Sequence, residues 1–241
     1  MENNYDGMQA FTAVISHKRS SRVEKTQSLV GAATWYVGEG EGKDYLAAGA
    51  ARVVESGELC RSRNAALQDG FDANLPVIEL SDDMQRLDLA INSKKKQQLP
   101  FPQAVTLMLR AMDDTGAMLA GVAPTSNAFF FHPEKPLHTA AFIVGDMIAV
   151  KPNNLRFEEA MTLKEDYDYT LQHLTQYGVV ARVNAILASF VHRSNPGGAC
   201  DYRTAQLEQE NIAFLKRKWG SLIRDNKRRP NEILLNLKGR A

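Results

Sequence analysis

A pair of aspartates stands where a divalent metal ion could bind. Ser81-Asp82-Asp83 follows directly on the apolar run Pro76–Leu80. Two carboxylates at the end of a strand could hold a hard cation, and that cation could hold a diphosphate. Paired acidic residues are also common in turns, so the motif alone leaves both interpretations open.

A second acidic motif, Glu165-Asp166, lies at the start of a predicted helix. Thr162 and Glu165 have the spacing of a capping box, which gives Glu165 a structural explanation that Asp166 lacks. The helix dipole favours ionised carboxylates in the first turn. We therefore expect Asp166 to be charged near neutral pH, which suits a base or a hydroxyl acceptor and does not suit a general acid.

A late loop carries groups that could bind phosphate. His192 could ligate a metal ion, although a lone histidine is more often structural. Arg193 could neutralise phosphate charge. Gly197 and Gly198 could bring exposed backbone N–H groups close to a phosphate.

Arginine and asparagine side chains at the start of a predicted helix are further candidates for nucleotide binding. They are Arg61, Arg63 and Asn64, in the segment Cys60–Gln68. At a helix start, these side chains could contact the phosphate or the base of a nucleotide. An equal alternative is that they form a helix face that only contacts solvent.

Apolar runs alternate with a helical segment along the first part of the chain. Strands are predicted over Phe11–Ser16, Thr34–Val37, Arg52–Val54 and Pro76–Leu80, with the helix Cys60–Gln68 before the last of them. This order is typical of a parallel α/β sheet, in which ligands bind beyond the carboxyl ends of the strands.

The second half of the sequence contains further predicted elements, which follow a charged segment. Ser93–Gln98 is typical of a solvated loop or a lid. The predicted elements are a helix over Pro102–Met112, strands over Met118–Val122, Ala128–Phe131, Ala140–Val144 and Val179–Val183, a capping-box helix from Thr162 to Tyr177, and a helix over Thr204–Ile223.

Composition indicates a soluble globular protein. The 241 residues are 44% hydrophobic and 24% charged, which excludes a disordered chain and is enough for one large core. The two cysteines, Cys60 and Cys200, are too few for a disulfide framework and indicate thiols in a reducing cytosol. A polar N-terminus and the lack of a long apolar run predict a cytoplasmic protein without a membrane span.

The order of the four constellations resembles the GT-A glycosyltransferases, from about Phe11 to Gly198. Ser81-Asp82-Asp83 resembles their Asp-x-Asp motif, with Ser81 in place of the first aspartate, which often contacts the nucleotide ribose or the metal. Glu165-Asp166 resembles their Glu-Asp motif, whose aspartate contacts or deprotonates the acceptor hydroxyl. His192 resembles their C-terminal metal ligand.

This resemblance implies an α/β fold with a GT-A-like (Rossmann-like), mixed and mostly parallel sheet flanked by helices. It implies Mn²⁺ or Mg²⁺ held by Asp83 and His192, with Asp82 beside them. The donor would be a nucleotide-sugar, with a UDP-sugar as first candidate. The residues assigned to donor binding are Arg61, Arg63, Asn64, Ser81, Arg193, Gly197 and Gly198, and the catalytic pair is Asp166 with Glu165.

Four phrases are similar to the TET-associated glycosyltransferases of bacteriophages. They are WYVGEGE (Trp35–Glu41), LCRSRNAAL (Leu59–Leu67), KEDYDYTLQHL (Lys164–Leu174) and the late Pro-Gly-Gly. Those enzymes add sugars to 5-hydroxymethylated pyrimidines in DNA, which implies a 5-hydroxymethylcytosine acceptor in the cytoplasm of a bacterial host. The sugar, the stereochemistry and the oligomeric state do not follow from the sequence.

Residues 201–241 are basic, with ten Lys or Arg against five Asp or Glu, a net charge of +5. Because the whole chain carries +1, the first 200 residues carry −4. We expect a core over residues 1–200 and a basic helical extension over 201–241 packed on it. Arg217, Arg224 and Arg228 would share one helical face and, with Lys227, contact DNA. A solvated face is the ordinary alternative.

Three other functions stay open. A GT-A transferase could act on a glycan or a protein. A nucleotidyltransferase has a related fold, but its glycine-rich, lysine-containing loop after the first strand is not matched by the glycine-free segment His17–Arg22. A catalytically inactive DNA-binding relative would explain Ser81 as a mark of lost chemistry.

Overall fold

The computed structural model describes residues 1–191 and 198–238, and of residues 199 and 200 the backbone. An 11-stranded sheet forms its centre, and a separate 2-stranded sheet lies near the C-terminus. The strands are β1 Glu2–Tyr5, β2 Met8–Ile15, β3 Thr34–Val37, β4 Arg52–Glu55, β5 Val77–Ser81, β6 Met84–Asn92, β7 Lys95–Gln98, β8 Leu119–Ala123, β9 Leu137–His138, β10 Met147–Val150, β11 Ala181–Phe190, β12 Ile223–Asp225 and β13 Ile233–Leu235.

The helices cover the sheet and connect its strands. They are α1 Val23–Val30, α2 Gly42–Ala47, α3 Leu59–Asp72, α4 Phe101–Thr115, α5 Glu165–Gln176 and α6 Ala205–Trp219, with 3-10 turns at Ser20–Arg22, Ala128–Phe130, Gly198–Asp201 and Gly220–Leu222.

The strand order of the large sheet is β4-β3-β2-β5-β10-β8-β11-β6-β7, with β1 beside β2 and β9 beside β11. Strands β4, β3, β2 and β5 pair in parallel, and so do β8 and β11. Strand β10 is antiparallel to both β5 and β8, so these two groups run in the same direction. The predicted fold class is confirmed as a mixed and mostly parallel α/β sheet flanked by helices.

The parallel strands β2, β3, β5 and β8 are mostly buried on both faces, which explains their apolar sequences. In β2, Val14 packs in one apolar cluster with Met108 of α4. Its neighbour Ala13 packs on the opposite face with Leu67 of α3 and Leu171 of α5. Because the parallel strands run in the same direction, they end together at one edge of the sheet, between these layers. We call this edge the carboxyl edge, and the strands that end there are β2, β3, β5, β8 and β11.

Three local predictions were wrong. The predicted strand Ala128–Phe131 is instead a 3-10 turn over Ala128–Phe130, in which Phe129 and Phe130 are 68% and 63% exposed. Ala140–Val144 is not a strand, and β10 forms just after it instead. Ser93–Gln98 contains the edge strand β7, whose exposed lysines discourage further strand pairing.

The predicted helix over Thr204–Ile223 is too long at its end. Helix α6 stops at Trp219, and Gly220 follows with a φ of 52°. Glycine adopts this left-handed region without steric cost and so ends helices. The chain continues into the hairpin β12–β13, which carries Arg224 on its first strand.

The C-terminal extension is thus a helix followed by a hairpin. Arg217, Arg224 and Arg228 do not share a helical face, because only Arg217 lies on α6. Trp219 Nε1 donates to Asp168 Oδ1 at 2.7 Å, which joins α6 to α5. The division of the chain into residues 1–200 and 201–241 stays a prediction. Within the described ranges, every helix is too short or too polar to cross a bilayer.

Candidate active site

The segment after β2 is fixed by side chains in and just before α2. Glu41 accepts the backbone N–H of Lys18 at 2.8 Å, and Tyr45 Oη accepts that of Arg19 at 2.9 Å. Tyr45 also forms a 2.6 Å hydrogen bond with Ser16. Lys18 has a left-handed φ of 54°, a conformation that non-glycine residues hold only where neighbours enforce it. These contacts direct Arg19 over the carboxyl edge.

Asp82 and Asp83 form the turn between β5 and β6 and are only 2% and 4% exposed. Asp82 accepts hydrogen bonds from Ser16 Oγ at 2.5 Å and from Arg19 Nη1 at 2.9 Å. Asp83 accepts from Ser81 Oγ at 2.9 Å. Burial raises the pKa of Asp82, while the Ser16 hydrogen bond and the Arg19 charge oppose that rise.

Asp166 lies in the first turn of α5, as predicted, but its ionisation differs from the expectation. Its carboxylate accepts the N–H of Gly145 at 3.1 Å and that of Tyr167 at 3.0 Å. Burial, followed by the charge of Glu165, raises the pKa of Asp166 to about 7. The helix dipole does not outweigh burial, so the carboxyl titrates near neutral pH instead of staying ionised.

The turn Gly145-Asp146, just before β10, joins the two acidic motifs. The N–H of Ser81 donates to the carbonyl oxygen of Asp146 at 2.9 Å, and Gly145 donates to Asp166. The structure therefore brings Asp166 and Ser81, the residue that precedes Asp82 and Asp83, to the same turn at the carboxyl edge. Sequence reasoning missed this turn because it assigned a strand just before it, although a Gly-Asp pair preceding an apolar run was a usable signal.

Gly145 has no room for a side chain. A Cβ there would lie 2.8 Å from Nη2 of Arg63 and 3.3 Å from Cβ of Asp166. Close approach of the backbone to both groups explains the glycine. We expect any larger residue at position 145 to displace Asp166.

Arg63 is the buried cation behind this turn. It is 6% exposed, and its guanidinium lies 3.0 Å from Glu79 Oε2 and 3.3 Å from Glu165 Oε1. Its Nη2 also donates to the carbonyl oxygen of Gly145 at 2.9 Å. Arg63 and Glu165 therefore hold the Gly145 turn against the start of α5.

The capping box predicted for α5 does not form. The residue at the N-cap is Lys164, with a φ of 62°, and no described side chain caps the helix there. Glu165 pairs instead with the buried guanidinium of Arg63, and the backbone N–H of Thr162 donates to Asn211 Oδ1 at 3.3 Å.

Arg61 and Asn64 face a surface groove of about 890 Å³ on the outer side of α3. Asn64 accepts the N–H of Phe157 at 2.8 Å and donates to its carbonyl oxygen at 3.0 Å, so it anchors that segment. Arg61 lies 3.4 Å from Glu159. The residues lining this groove do not include Asp82, Asp83 or Asp166, so the structure separates these two donor-site candidates from the acidic cluster.

Only the end of the predicted late loop lies among the described residues. His192, Arg193 and Gly197 lie outside the described residues. Gly198 is described, and its N–H donates to the carbonyl oxygen of His17 at 3.0 Å, which places it at the carboxyl edge. Within residues 1–191 and 198–238, no group of three His, Cys, Asp or Glu side chains could hold a metal ion. The metal site of Asp82, Asp83 and His192 stays a prediction.

No family model matches the sequence, and no curated protein matches it either. Among solved structures, the chain is similar to residues 1–349 of S. aureus TarS, with a TM-score of 0.47 and 10% identity over 86% of this chain and 65% of that one. It thus spans slightly less than two thirds of that TarS structure. It is also similar to CMP:2-keto-3-deoxy-manno-octonic acid synthetase complexed with CTP, with a TM-score of 0.42 and 13% identity over 86% of this chain and 99% of that one.

Proposed function

We propose that this chain is a glycosyltransferase that moves a sugar from a nucleotide-sugar to a hydroxyl group at the carboxyl edge. One observation carries the proposal. A carboxyl with a pKa of about 7, Asp166, meets the buried Asp82-Asp83 turn through Gly145 and Asp146. Ligands of open α/β sheets bind beyond this edge of the strands.

In the proposed reaction, the acceptor hydroxyl oxygen attacks the anomeric carbon of the donor. The bond from that carbon to the phosphate oxygen breaks, and its electron pair leaves with the nucleoside diphosphate. Asp166 takes the proton of the hydroxyl, a role for which a pKa near the working pH is best. Direct attack assisted by Asp166 inverts the anomeric centre.

The two aspartates of the β5–β6 turn are suitable ligands for Mg²⁺ or Mn²⁺. Their carboxylates are hard oxygen donors, and a cationic group, the guanidinium of Arg19, already lies 2.9 Å from Asp82. Asp83 and Asp82 would hold the metal together with His192, which lies outside the described residues. The metal would supply positive charge against the leaving diphosphate.

For the acceptor, we propose DNA that carries 5-hydroxymethylcytosine. The hairpin β12–β13 is tied to the start of α5, because Lys164 Nζ donates to the carbonyl oxygen of Asn231 at 2.8 Å and Tyr167 Oη to that of Ile233 at 3.2 Å. A basic hairpin beside Asp166 could hold a polyanion while the target base is flipped out.

The basic residues of this hairpin are available for phosphate contacts. Arg224, Lys227 and Arg228 are exposed, and none of them pairs with a carboxylate among the residues that the structure describes. By contrast, Lys216 pairs with Asp225 at 2.7 Å. Unpaired cations on an exposed turn favour an anionic partner.

The proposal is tested by incubating the protein with a panel of nucleotide-sugars and DNA containing 5-hydroxymethylcytosine, with unmodified DNA as control. We expect mass spectrometry to find one added sugar on the hydroxymethylated base alone. Transfer to a glycan or protein but never to DNA would remove the acceptor and keep the transferase. Release of pyrophosphate from a nucleoside triphosphate would instead identify a nucleotidyltransferase. DNA binding without any donor turnover would indicate an inactive relative.

Neutralising the hairpin should weaken DNA binding. In a variant with Arg224, Lys227 and Arg228 all changed to Gln, we expect the salt dependence of binding to fall by about three units of slope, roughly one per lost phosphate contact. Donor hydrolysis without acceptor should be unchanged.

The matched control changes Lys43, Lys94 and Lys95 to Gln, which removes the same charge from exposed positions on other elements. Binding is measured by fluorescence anisotropy across a salt series. If the control and the hairpin variant lose affinity equally, net charge matters and the hairpin is only a solvated surface.

A further inference from the structure

A partly buried guanidinium, that of Arg19, bridges the two aspartates of the proposed cation site. Arg19 Nη1 lies 2.9 Å from Asp82 Oδ1 and 3.9 Å from Asp83 Oδ2. The three side chains are 11%, 2% and 6% exposed in that order. Arg19 therefore occupies the position, against both carboxylates, that a divalent cation bound to them would need.

The bridge is built from several elements, and it is not an accident of one side chain. Tyr45 Oη accepts the backbone N–H of Arg19 and also contacts Ser16, whose hydroxyl donates to Asp82. On the other side, a Cβ at Gly198 would lie only 2.9 Å from Cζ of Arg19. The guanidinium thus fits between Gly198 and the aspartates because position 198 has no side chain.

We propose that Arg19 competes with the divalent cation for Asp82 and Asp83, so that the cation binds strongly only together with the anionic diphosphate of the donor. This inference rests on the proposed function. It adds an order of binding in which the guanidinium leaves the aspartates for the diphosphate as the metal ion takes its place.

Electrostatics require this exchange. An arginine side chain does not lose its proton in proteins, so Arg19 can make room for a metal only by moving. A guanidinium and a divalent cation about 4 Å apart would repel each other strongly in a buried site. A diphosphate offers the displaced guanidinium a bidentate partner, and the exchange is then favoured only when the donor is present.

The test measures Mn²⁺ binding without any turnover, by the EPR signal of free Mn²⁺, in the presence and absence of UDP. For the parent protein we expect UDP to tighten Mn²⁺ binding by on the order of tenfold or more, in the usual range of coupling between sites. In Arg19→Gln, the guanidinium no longer occupies the position against Asp82 and Asp83, so Mn²⁺ should bind tightly without UDP and the coupling should be largely lost.

Arg22→Gln, in the same segment but outside the described contacts of Asp82 and Asp83, is the matched control and should behave as the parent. Equal Mn²⁺ affinity in Arg19→Gln and the parent without UDP would overturn the proposal. So would an absence of Mn²⁺ binding in all variants under all conditions. Because no sugar transfer is measured, a failure of the proposed acceptor or reaction leaves this result interpretable.

Discussion

Asp166→Asn should lower kcat by about a hundredfold to ten thousandfold, the usual contribution of a positioned base. The amide can still accept a hydrogen bond from Gly145, so the turn should keep its shape, but it cannot take the proton of the acceptor hydroxyl. Donor binding, measured by calorimetry with the nucleotide-sugar alone, should be almost unchanged. A fall in donor affinity with an intact kcat would make Asp166 a donor-site residue and remove it from the chemistry.

The pH dependence of the parent enzyme follows from the same carboxyl. Below its pKa of about 7, Asp166 is protonated and cannot accept a proton, so kcat should rise with pH through that value. Because folding raises this pKa from its ordinary 3.8, the charged form is disfavoured in the folded protein. Its destabilising effect is absent below about pH 4 and fully present above about pH 7.

Asp166→Asn should therefore increase Tm relative to the parent, by a few degrees above pH 7 and by little at pH 4, as expected when a strained functional group is removed. Thermal unfolding at both pH values checks this. Asp225→Asn is the control. This exposed carboxylate pairs with Lys216, its one ion-pair partner among the described residues, so the change should alter neither kcat nor Tm appreciably. A Tm difference that shrinks as the pH rises would contradict the raised pKa.

The first part of the sheet could be predicted because its signals are local. Strands β2, β3 and β5 are short apolar runs buried between helices, and β4 has two valines at its centre. Asp82 and Asp83 directly follow β5, so predicting that strand also placed them at the edge where these strands end. Ligands of such sheets bind beyond that edge.

The insertion of β10 could not be predicted in the same way. Its four residues, Met147–Val150, are as apolar as the run Ala140–Val144 just before them, and only pairing with β5 and β8 selects the later run. Such pairing joins residues far apart in sequence, and local patterns do not report it. The Gly145-Asp146 turn, which links the two acidic motifs, depends entirely on that choice.

The structural role of Arg63 could not be predicted from the sequence for a different reason. Arg61 and Arg63 look equivalent in the sequence, but two residues apart on a helix they point in different directions. Arg61 is exposed and Arg63 is buried. A usable signal was Glu79, a single charged residue within the apolar run of β5, because a carboxylate in a strand buried on both faces needs a cationic partner.

Arg63→Met should lower the free energy of unfolding by about 3–5 kcal/mol, the usual cost of removing one partner from a buried ion pair. Methionine has a similar length and would leave Glu79, which is 0% exposed, without its partner. Glu165 would lose its partner as well. Arg61→Met, two residues away on the exposed side of α3, should change the free energy by no more than about 0.5 kcal/mol. Urea denaturation followed by circular dichroism measures both.

A second variant separates the lost pair from the lost packing over Phe157, whose ring centre lies 5.0 Å from Cζ of Arg63. Burial raises the pKa of Glu79 to about 7 although Arg63 lowers it, so the loss of Arg63 should raise this pKa further. Adding Glu79→Gln to Arg63→Met removes the isolated carboxyl, so the double variant should be more stable than Arg63→Met alone only well above pH 7, where that carboxyl ionises. The difference should vanish at pH 5, where the carboxyl is protonated. If both variants are equally unstable at every pH, packing rather than charge accounts for the stabilising effect of Arg63. The Gly145 turn must then be held at Asp166 by its other contacts.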